Sequence, residues 1–427
     1  MLIELNVINF RSIRDEAKLS LVANTGKELR STHVIEPDMS SGAKRLSILR
    51  SAALYGPNAG GKSNLIRALA TMQRIVMTSQ QPLEELPVTP FRLDADPATK
   101  DKPSTFEVTI LAEGVRYQYG FSATATTVHD EWLYAFPKNR AQTWFVRTLD
   151  PASNKHDYHF GDKLLGDKDV WRRATRANAL LLSTAIQLNS QQLRPIFDWF
   201  AQRLRIAGMR GWNPTPSARW CQDQRKDRIV GFLQAADLAI ADVRVTEEDF
   251  RAETVPQELP THLRKFLEDE LKDKKRLQMH TAHRIANGRS VELALEEESD
   301  GTQKMFSLAA PWLDSLDGGN VLIVDELHDN LHPALVRFLI NLFHSCKTNA
   351  RGAQLIFSTH DTSILSQDMF RRDQIWFCER DPSQSTRLYP LTDFSPRKNV
   401  ENLERAYLSG RYGAVPILQT ASTALAR

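Results

Sequence analysis

The chain has 427 residues, 41% of them hydrophobic and 25% charged, and its formal net charge is +3 at pH 7. This length leaves room for a core and one inserted domain, and the near balance of charge gives no reason by itself to expect nucleic acid. No window approaches 18 uninterrupted apolar residues, and the first residues are typical of a strand, so we expect no membrane span, no signal peptide and a cytoplasmic location.

Cysteine usage points in the same direction. The three cysteines are scattered without C-x-x-C spacing at Cys221, Cys346 and Cys378. This distribution argues against a disulfide framework, a zinc hook and any cysteine-based metal site.

The N-terminal part of the chain alternates strand and helix signals. Strands are predicted over Leu2–Asn9, Leu19–Ala23 and Leu46–Tyr55, and a helical pattern follows Ser63. Between residues 104 and 134, apolar residues alternate on both sides of the turn signal Glu113-Gly114, which predicts antiparallel strands. We expect these strands to form an antiparallel lobe of an α/β fold that holds the adenine side of a nucleotide.

The strongest motif follows the third of these strands. It reads Gly56-Pro57-Asn58-Ala59-Gly60-Gly61-Lys62-Ser63, and Asn64 then opens the helix. This is the phosphate-binding loop in its strand–loop–helix context, where glycines turn backbone N–H groups onto a phosphate at a helix N-terminus. Lys62 is expected to reach the β- and γ-phosphates and Ser63 to ligate Mg²⁺. The motif predicts a nucleoside triphosphate as ligand, with Mg²⁺.

The middle of the chain is the least informative part. A loop is predicted at residues 150–154, helical periodicity from Val170 onward, and a charged helix from Leu263 to about Arg284 before a strand at Val291–Leu295. This segment separates the P-loop from the second acidic motif, so we expect an insertion over 151–285 that is mainly helical.

Residues 171–226 of this insertion are strongly basic. They contain only two acids, Asp198 and Asp223, against ten basic residues: Arg172, Arg173, Arg176, Arg194, Arg203, Arg205, Arg210, Arg219, Arg225 and Lys226. Four tryptophans are interleaved, at Trp171, Trp199, Trp212 and Trp220. A basic surface with aromatics suits DNA or RNA. The alternatives are a solvated helical face with its tryptophans in the core, or a protein-docking face.

A second anion site is predicted just beyond the insertion. Glu298-Ser299-Asp300-Gly301-Thr302-Gln303 opens a helical pattern, and a hydroxyl residue followed by glycine at a helix N-terminus suits a phosphate. One subunit has no use for two phosphate cradles on one triphosphate. We therefore expect Ser299 and Gly301 to cap the γ-phosphate held by a second subunit.

Two apolar runs end in polar residues near the C-terminal third. Val321–Val324 is followed by Asp325 and Glu326, which is typical of a buried parallel strand with a Mg²⁺ anchor and a general base at its tip. A second run, Gln354–Thr359, ends in His360. The interval between them fits one helix and a return strand, which predicts that His360 lies beside the two acids.

These residues together carry a family resemblance. Gly56–Ser63, Ser299-Asp300-Gly301, Asp325-Glu326 and His360 look like the ATP-binding-cassette heads of the SMC-like branch. More narrowly, the chain resembles bacterial AAA-type ATPases of the abortive-infection and overcoming-lysogenization-defect group, including RloA-like proteins. The segments that look like that group are Asn9-Phe10-Arg11-Ser12, Glu298–Gln303, Asp325-Glu326-Leu327, Leu331-His332-Pro333, Ser358-Thr359-His360-Asp361, Arg371–Trp376 and Tyr407–Gly413.

The resemblance implies a fold and a set of roles. The fold would be a P-loop NTPase of the ABC/SMC-like head type, a mixed sheet with an antiparallel lobe, built from residues 1–150 and 286–427 around the insertion. Lys62, Glu326 as catalytic base and His360 as γ-phosphate switch would be catalytic, Ser63 and Asp325 would hold Mg²⁺, and Arg11 would lie near the phosphates. Ser299 and Gly301 would act in trans on the ATP of a second subunit.

The function implied is that of an ATPase that dimerises head to tail around ATP and controls a partner effector in anti-phage defence. Such proteins look like companions of a nuclease or toprim-like protein, and no nuclease residues are recognisable here. The alternative is a nucleotide-gated clamp with little hydrolysis.

Three smaller features each allow two interpretations. His328 and His332 suggest either a metal pair or a dimer-contact loop. Arg371-Arg372-Asp373 suggests a contact with a second subunit or a local ion pair. Gln81 and Pro90-Phe91 are both candidates for the glutamine loop.

Overall fold

The structure is a computed structural model, and the part of the chain that it describes is 1–40, 45–81, 84–94, 96–138, 140–209, 211–249, 275–286, 288–397 and 400–416. These residues form two compact units. The first unit comprises Met1–Arg210, Ser315–Asp329 and Val336–Arg427, and the second comprises Gly211–Asp314 and Asn330–Leu335.

One sheet of the first unit is antiparallel throughout. Its strand order is β10-β9-β8-β7-β6-β1-β2. The strands are β1 (Leu2–Ile8), β2 (Ala17–Ser20), β6 (Ser104–Ala112), β7 (Val115–Ala123), β8 (Val128–Phe136), β9 (Gln142–Asp150) and β10 (Lys155–Phe160). In β6, Phe106, Val108 and Ile110 are buried and alternate with less buried residues, as a strand with one face on the core requires. This is the predicted antiparallel lobe, and it extends further along the chain than expected.

The other large sheet is parallel except at one edge. Its order is β11-β15-β16-β5-β17-β18, and only the β17–β18 pair is antiparallel. The strands are β5 (Ser51–Tyr55), β11 (Leu204–Ala207), β15 (Val321–Val324), β16 (Gln354–Ser358), β17 (Ile375–Arg380) and β18 (Thr386–Pro390). β5, β15 and β16 are buried at every position, which explains their uninterrupted apolar sequences.

Helices and a short ribbon complete the first unit. The two-stranded ribbon consists of β3 (Val34–Ile35) and β4 (Ile48–Leu49). The α-helices within this unit are α1 (Arg30–His33), α2 (Lys62–Thr78), α3 (Lys168–Ala174), α4 (Leu181–Gln187), α5 (Arg194–Asp198) and α10 (Leu403–Leu408). The buried carboxylate of Glu131 accepts from the backbone N–H groups of Leu181 and Leu182 at 2.6 and 3.0 Å, so it satisfies the first turn of α4.

The second unit has both helices and strands. It contains α6 (Thr215–Cys221), α7 (Lys226–Ala235) and an antiparallel sheet of β12 (Asp242–Asp249), β13 (Lys275–Arg284) and β14 (Ser290–Ala294). Two helices pass from one unit into the other along the chain, α8 (Asp300–Gly318) and α9 (Pro333–His344).

The structure corrects two expectations about the insertion. The helix predicted up to about Arg284 is wrong over Lys275–Arg284, which is strand β13, whereas residues 263–274 lie outside the described part. The described residues of 151–285 contain strands as well as helices. Residues 151–209 belong to the first unit, and the division of the chain after 210 differs from the predicted boundary at 150. Sequence pattern alone did not distinguish this polar strand from a helix.

Within the described residues, none of the helices combines the length and the apolar character that crossing a membrane requires.

Candidate functional site

Three neighbouring strands of the parallel sheet carry the predicted motifs at one edge. Because β15, β16 and β5 are parallel and adjacent, their carboxyl ends meet at the same edge. β5 leads into the P-loop, β15 into Asp325 and Glu326, and β16 into Thr359 and His360. The expected proximity of these segments is therefore confirmed.

The P-loop packs against the β17–β18 hairpin without space for side chains. Gly56 and Gly61 have positive φ angles of 147° and 104°, and Ala59 has 63°. A Cβ atom on Gly60 would lie 2.7 Å from the carbonyl oxygen of Cys378, and one on Gly56 or Gly61 would also clash with the hairpin. The glycines are thus required both by backbone conformation and by close approach.

Lys62 lies at the start of α2, inside the loop. Its Nζ donates to the carbonyl oxygens of Gly56 at 2.7 Å and Pro57 at 3.1 Å. Burial lowers the pKa of the Lys62 amine from its ordinary value, partly offset by Glu326 and Asp325. A cation that is desolvated and held only by neutral carbonyls favours an anionic partner.

A hydroxyl on each side holds the carboxylate of Asp325. Oδ1 of Asp325 accepts from the Ser63 hydroxyl at 3.1 Å and from the Ser358 hydroxyl at 2.6 Å. The same Ser358 Oγ accepts the backbone N–H of Glu326 at 2.8 Å. Ser358 therefore connects the ends of β15 and β16 and orients both acids of the pair.

Glu326 and His360 face each other at the edge of the sheet. His360 Nε2 lies 3.7 Å from Glu326 Oε1, and the side chain of Glu326 is 51% exposed. Burial lowers the pKa of His360 and the charge of Lys62 lowers it further, partly offset by Glu326, and this shift favours the neutral imidazole. The His328 ring packs edge-on against that of His360, with centroids 4.5 Å apart. An accessible carboxylate beside a neutral imidazole suits general-base chemistry on a water molecule.

Arg11 is presented by a tight turn that touches the P-loop helix. The backbones of Asn9 and Arg11 are left-handed, with φ of 52° and 51°. Ser12 Oγ accepts from Asn64 Nδ2 at 2.7 Å and contacts Thr386 Oγ1 at 2.8 Å. The turn is also held by the Asn9 side chain, which accepts from the Phe91 N–H at 3.0 Å. Strained conformations that are fixed by several contacts are common at ligand sites.

The predicted signature residues lie in the second unit. Ser299 precedes α8, and its hydroxyl accepts from the Thr302 N–H at 3.2 Å, so Ser299 is the N-cap of this helix. Gly301 lies in the first turn, and a Cβ atom there would be 2.9 Å from the Asn330 carbonyl oxygen. Ser299 therefore has a structural role in its own subunit that the sequence did not reveal.

The two candidates for the glutamine loop occupy different places. Gln81 follows the C-terminal end of α2, and 17 helical residues place it about 25 Å from the P-loop. The backbone N–H of Arg11 donates to the Thr89 carbonyl at 2.8 Å, so the segment with Pro90 and Phe91 lies beside the turn that presents Arg11. Gln81 is thus wrong for this position.

The basic and aromatic residues of 171–226 do not form one stacking surface. Trp171, Trp199 and Trp220 are buried, at 3, 1 and 8% exposure. The segment is also divided between the two units. Several arginines bind protein groups: Arg176 donates to Ser79 and Gln81 carbonyls, and Arg225 pairs with Asp223. These contacts match the reading of tryptophans in a core.

The structure also distinguishes between the interpretations of the histidine pair and of the arginine pair. Within the described ranges, no three His, Cys, Asp or Glu side chains are arranged to hold a metal ion, so a metal pair at His328 and His332 has no support. Arg371 is buried and bonds to Asp373 at 2.8 Å and to the Asn24 carbonyl at 3.2 Å. Of the two interpretations of Arg371-Arg372-Asp373, these contacts support the local ion pair.

The sequence analysis assigned no role to two residues that shape the site. Ser358 bridges the acids, and its place two residues before His360 at the end of a buried strand is a usable signal. Thr386 packs on Gly61 and donates to the Gly60 carbonyl at 3.2 Å, and no local pattern marks it, because the contact joins distant segments.

The fold and the loop define a P-loop NTPase with a mixed sheet. Comparison with known proteins narrows this class: residues 51–366 match the family described as "AAA domain, putative AbiEii toxin, Type IV TA system". The match spans well over half of the chain, and the chain belongs to this AAA family.

Other comparisons add less. No curated protein matches the chain. One solved structure with a related arrangement is titled "Crystal structure of the SmcHead bound to the C-winged helix domain of ScpA". It is 10% identical, with 91% of this chain and 97% of that chain covered at a TM-score of 0.37, a likeness too low to carry an argument.

Proposed function

We propose that this protein binds ATP with Mg²⁺ at the carboxyl edge of its parallel sheet and hydrolyses it. One observation carries the proposal: three neighbouring strands end at a single edge with a P-loop, an Asp-Glu pair and a histidine. A P-loop alone supports nucleotide binding. The acid and the histidine beside it add the groups needed to cleave the terminal phosphate.

The residues present fit a magnesium ion. The Ser63 hydroxyl and the Asp325 carboxylate are hard oxygen donors 3.1 Å apart, and Mg²⁺ completes its shell with waters and phosphate oxygens. Bound there, it would neutralise charge on the phosphates. Ser358 fixes the orientation of Asp325 and so pre-positions this ligand.

The remaining side chains each have a distinct task. The Lys62 amine would exchange its carbonyl partners for the β- and γ-phosphates, and backbone N–H groups of the P-loop would also donate to these phosphates. Glu326 would accept the proton of the attacking water. The neutral imidazole of His360 would donate a hydrogen bond to the γ-phosphate, and Arg11 would contribute a further positive charge.

The second anion site supports a head-to-tail homodimer. Ser299 and Gly301 stand at the N-terminus of a 19-residue helix, where the first N–H groups and the helix dipole favour a phosphate. In this proposal they complete the site of a second subunit.

In this proposal the ATPase controls a partner effector protein. The family description names a putative AbiEii toxin and a type IV toxin–antitoxin system, which supports a role in abortive infection. The resemblance to RloA-like proteins and to the overcoming-lysogenization-defect group supports a nuclease or toprim-like partner. Binding of DNA or RNA through 171–226 stays a prediction, and three buried tryptophans offer it no stacking platform.

The test is a matched pair of lysine variants. Lys62→Ala removes the cation of the P-loop and should abolish MgATP binding by calorimetry and phosphate release by colorimetry. Lys347→Ala removes an exposed lysine after α9 and should behave as wild type. Wild-type affinity in Lys62→Ala would contradict this placement of the site. ATP binding by the wild type without any turnover would instead support the nucleotide-gated clamp.

A further inference from the structure

A second arginine lies beside the turn that presents Arg11. Arg67 is on α2, five residues after Lys62, and its Nη1 donates to Asn64 Oδ1 at 3.3 Å. The amide of Asn64 in turn donates to Ser12 Oγ at 2.7 Å. Because helical side chains point back toward the N-terminus, the Arg67 guanidinium reaches the first turn of α2, next to the P-loop.

The charges of these two arginines are not balanced by carboxylates in the part of the chain that the structure describes. Among the described residues, neither Arg11 nor Arg67 forms an ion pair with a carboxylate at 4.0 Å or less. Burial and the nearby charge of Arg67 lower the pKa of Arg11. Two cations near each other repel, and the left-handed backbone at Arg11 adds strain. An anion bound beside both arginines would offset this repulsion.

Hydrogen bonds connect the side chain of Arg67 to the P-loop through Ser12, the neighbour of Arg11 in the chain. From Arg67 they run through Asn64 and Ser12 to Thr386, whose hydroxyl donates to the Gly60 carbonyl at 3.2 Å. This path joins Arg67 to the loop that would hold the phosphates, and such a connection suits a ligand-binding group better than an isolated surface charge.

We propose that Arg67 is a nucleotide-binding residue that acts together with Arg11 on the phosphate groups of ATP outside the P-loop. This inference rests on the proposed function and adds a residue to it. A guanidinium donates two parallel hydrogen bonds to phosphate oxygens, and a triphosphate carries more negative charge than Lys62 balances alone.

The experiment compares two charge-neutral variants on one helix. Arg67→Gln removes the charge and keeps an amide donor for Asn64, and Arg74→Gln makes the same change at an exposed position two turns further along α2. Calorimetry should show MgATP affinity reduced roughly 10–100-fold in Arg67→Gln, the range of hydrogen bonds to charged groups, and unchanged in Arg74→Gln. Arg67→Lys should lose less.

The Tm measured without nucleotide distinguishes a role of Arg67 in nucleotide binding from a role in the stability of the fold. Because removing one of two repelling cations relieves the unliganded state, Arg67→Gln should keep or raise this Tm. A lowered Tm with MgATP affinity equal to wild type would overturn the proposal and make Arg67 a structural residue. If the wild type itself fails to bind MgATP, the proposed function is wrong. If the wild type binds MgATP and Arg67→Gln binds it with the same affinity, the proposed function stands and this inference fails.

Discussion

Glu326 combines two features at the scale of a single residue. Its backbone is left-handed, with φ of 52°, and its side chain is half exposed beside His360. A non-glycine residue in this conformation is destabilising, and here the hydrogen bond from its N–H to Ser358 holds it in place. This left-handed conformation turns the carboxylate away from the strand direction and toward the edge of the sheet where the P-loop lies.

This arrangement leads to a prediction for Glu326→Gln. The amide keeps the shape and removes the base, so MgATP should still bind while turnover falls roughly 10²–10⁴-fold. Single-turnover phosphate release measures the rate, and light scattering should show an accumulated ATP-bound dimer.

Glu113 offers a matched control. It also has a left-handed backbone, φ 51°, at the exposed turn between β6 and β7. Glu113→Gln makes the same chemical change away from the site and should leave turnover unchanged. Wild-type turnover in Glu326→Gln would assign the base to another residue.

At the scale of elements, the strand that leads to the P-loop is anchored by a buried pair of histidines. His344 Nε2 contacts the hydroxyl of Ser51, the first residue of β5, at 2.8 Å, and His33 Nε2 contacts the Met369 carbonyl at 3.1 Å. The two rings pack with centroids 3.7 Å apart. Both histidines are buried, and Arg50 adds a positive charge nearby, so neither ring can be protonated without cost.

The pair predicts a loss of stability in mild acid. Burial lowers the pKa of both histidines in the folded state below the ordinary value of 6.5. As the pH falls below about 6.5, the unfolded chain therefore binds more protons than the folded chain. The stability that is present above that pH is then progressively lost. Each histidine contributes up to about 1.4 kcal/mol per pH unit between the two pKa values.

Urea unfolding at pH 7.5 and 5.5 measures this effect. His344→Gln should show a smaller loss of stability between the two pH values than wild type, whatever its stability at pH 7.5. His159→Gln removes an exposed histidine from β10 and should lose as much stability as wild type. An equal loss in all three proteins would assign the acid sensitivity to other groups.

At the scale of the whole molecule, the proposed dimer makes two sites from two subunits. Ser299→Arg should block hydrolysis by placing bulk and charge at the surface that meets the second ATP, while ATP binding stays near wild type. Because Ser299 also caps α8, part of any effect is lost helix stability of about 1 kcal/mol. Ser299→Ala removes the cap without the bulk and measures that part.

Mixing two inactive variants gives the sharper result. A mixed dimer of Ser299→Arg and Lys62→Ala has one site with an intact P-loop and an intact signature. Phosphate release should partly recover on mixing, and if both sites must act together, ATP-dependent association by light scattering still reports the mixed dimer. Full activity of Ser299→Arg alone would contradict the action in trans.

The sequence by itself determined the residues of the site and the class of the fold. Gly56–Ser63, Asp325-Glu326 and His360 were found because each motif is local: glycines, a cation or an acid directly follow an apolar strand. Parallel strands bring such endings to one edge whatever lies between them, so even the proximity of His360 and Glu326 was predictable.

Only the tertiary structure decided what supports those residues. The bridge of Ser358, the close packing of Thr386 on Gly61 and the link from Arg67 to Ser12 join segments far apart in the sequence. Single-sequence patterns carry no record of such pairs. The error over Lys275–Arg284 has a different cause, because the short pattern of this polar strand does not distinguish it from an exposed helix.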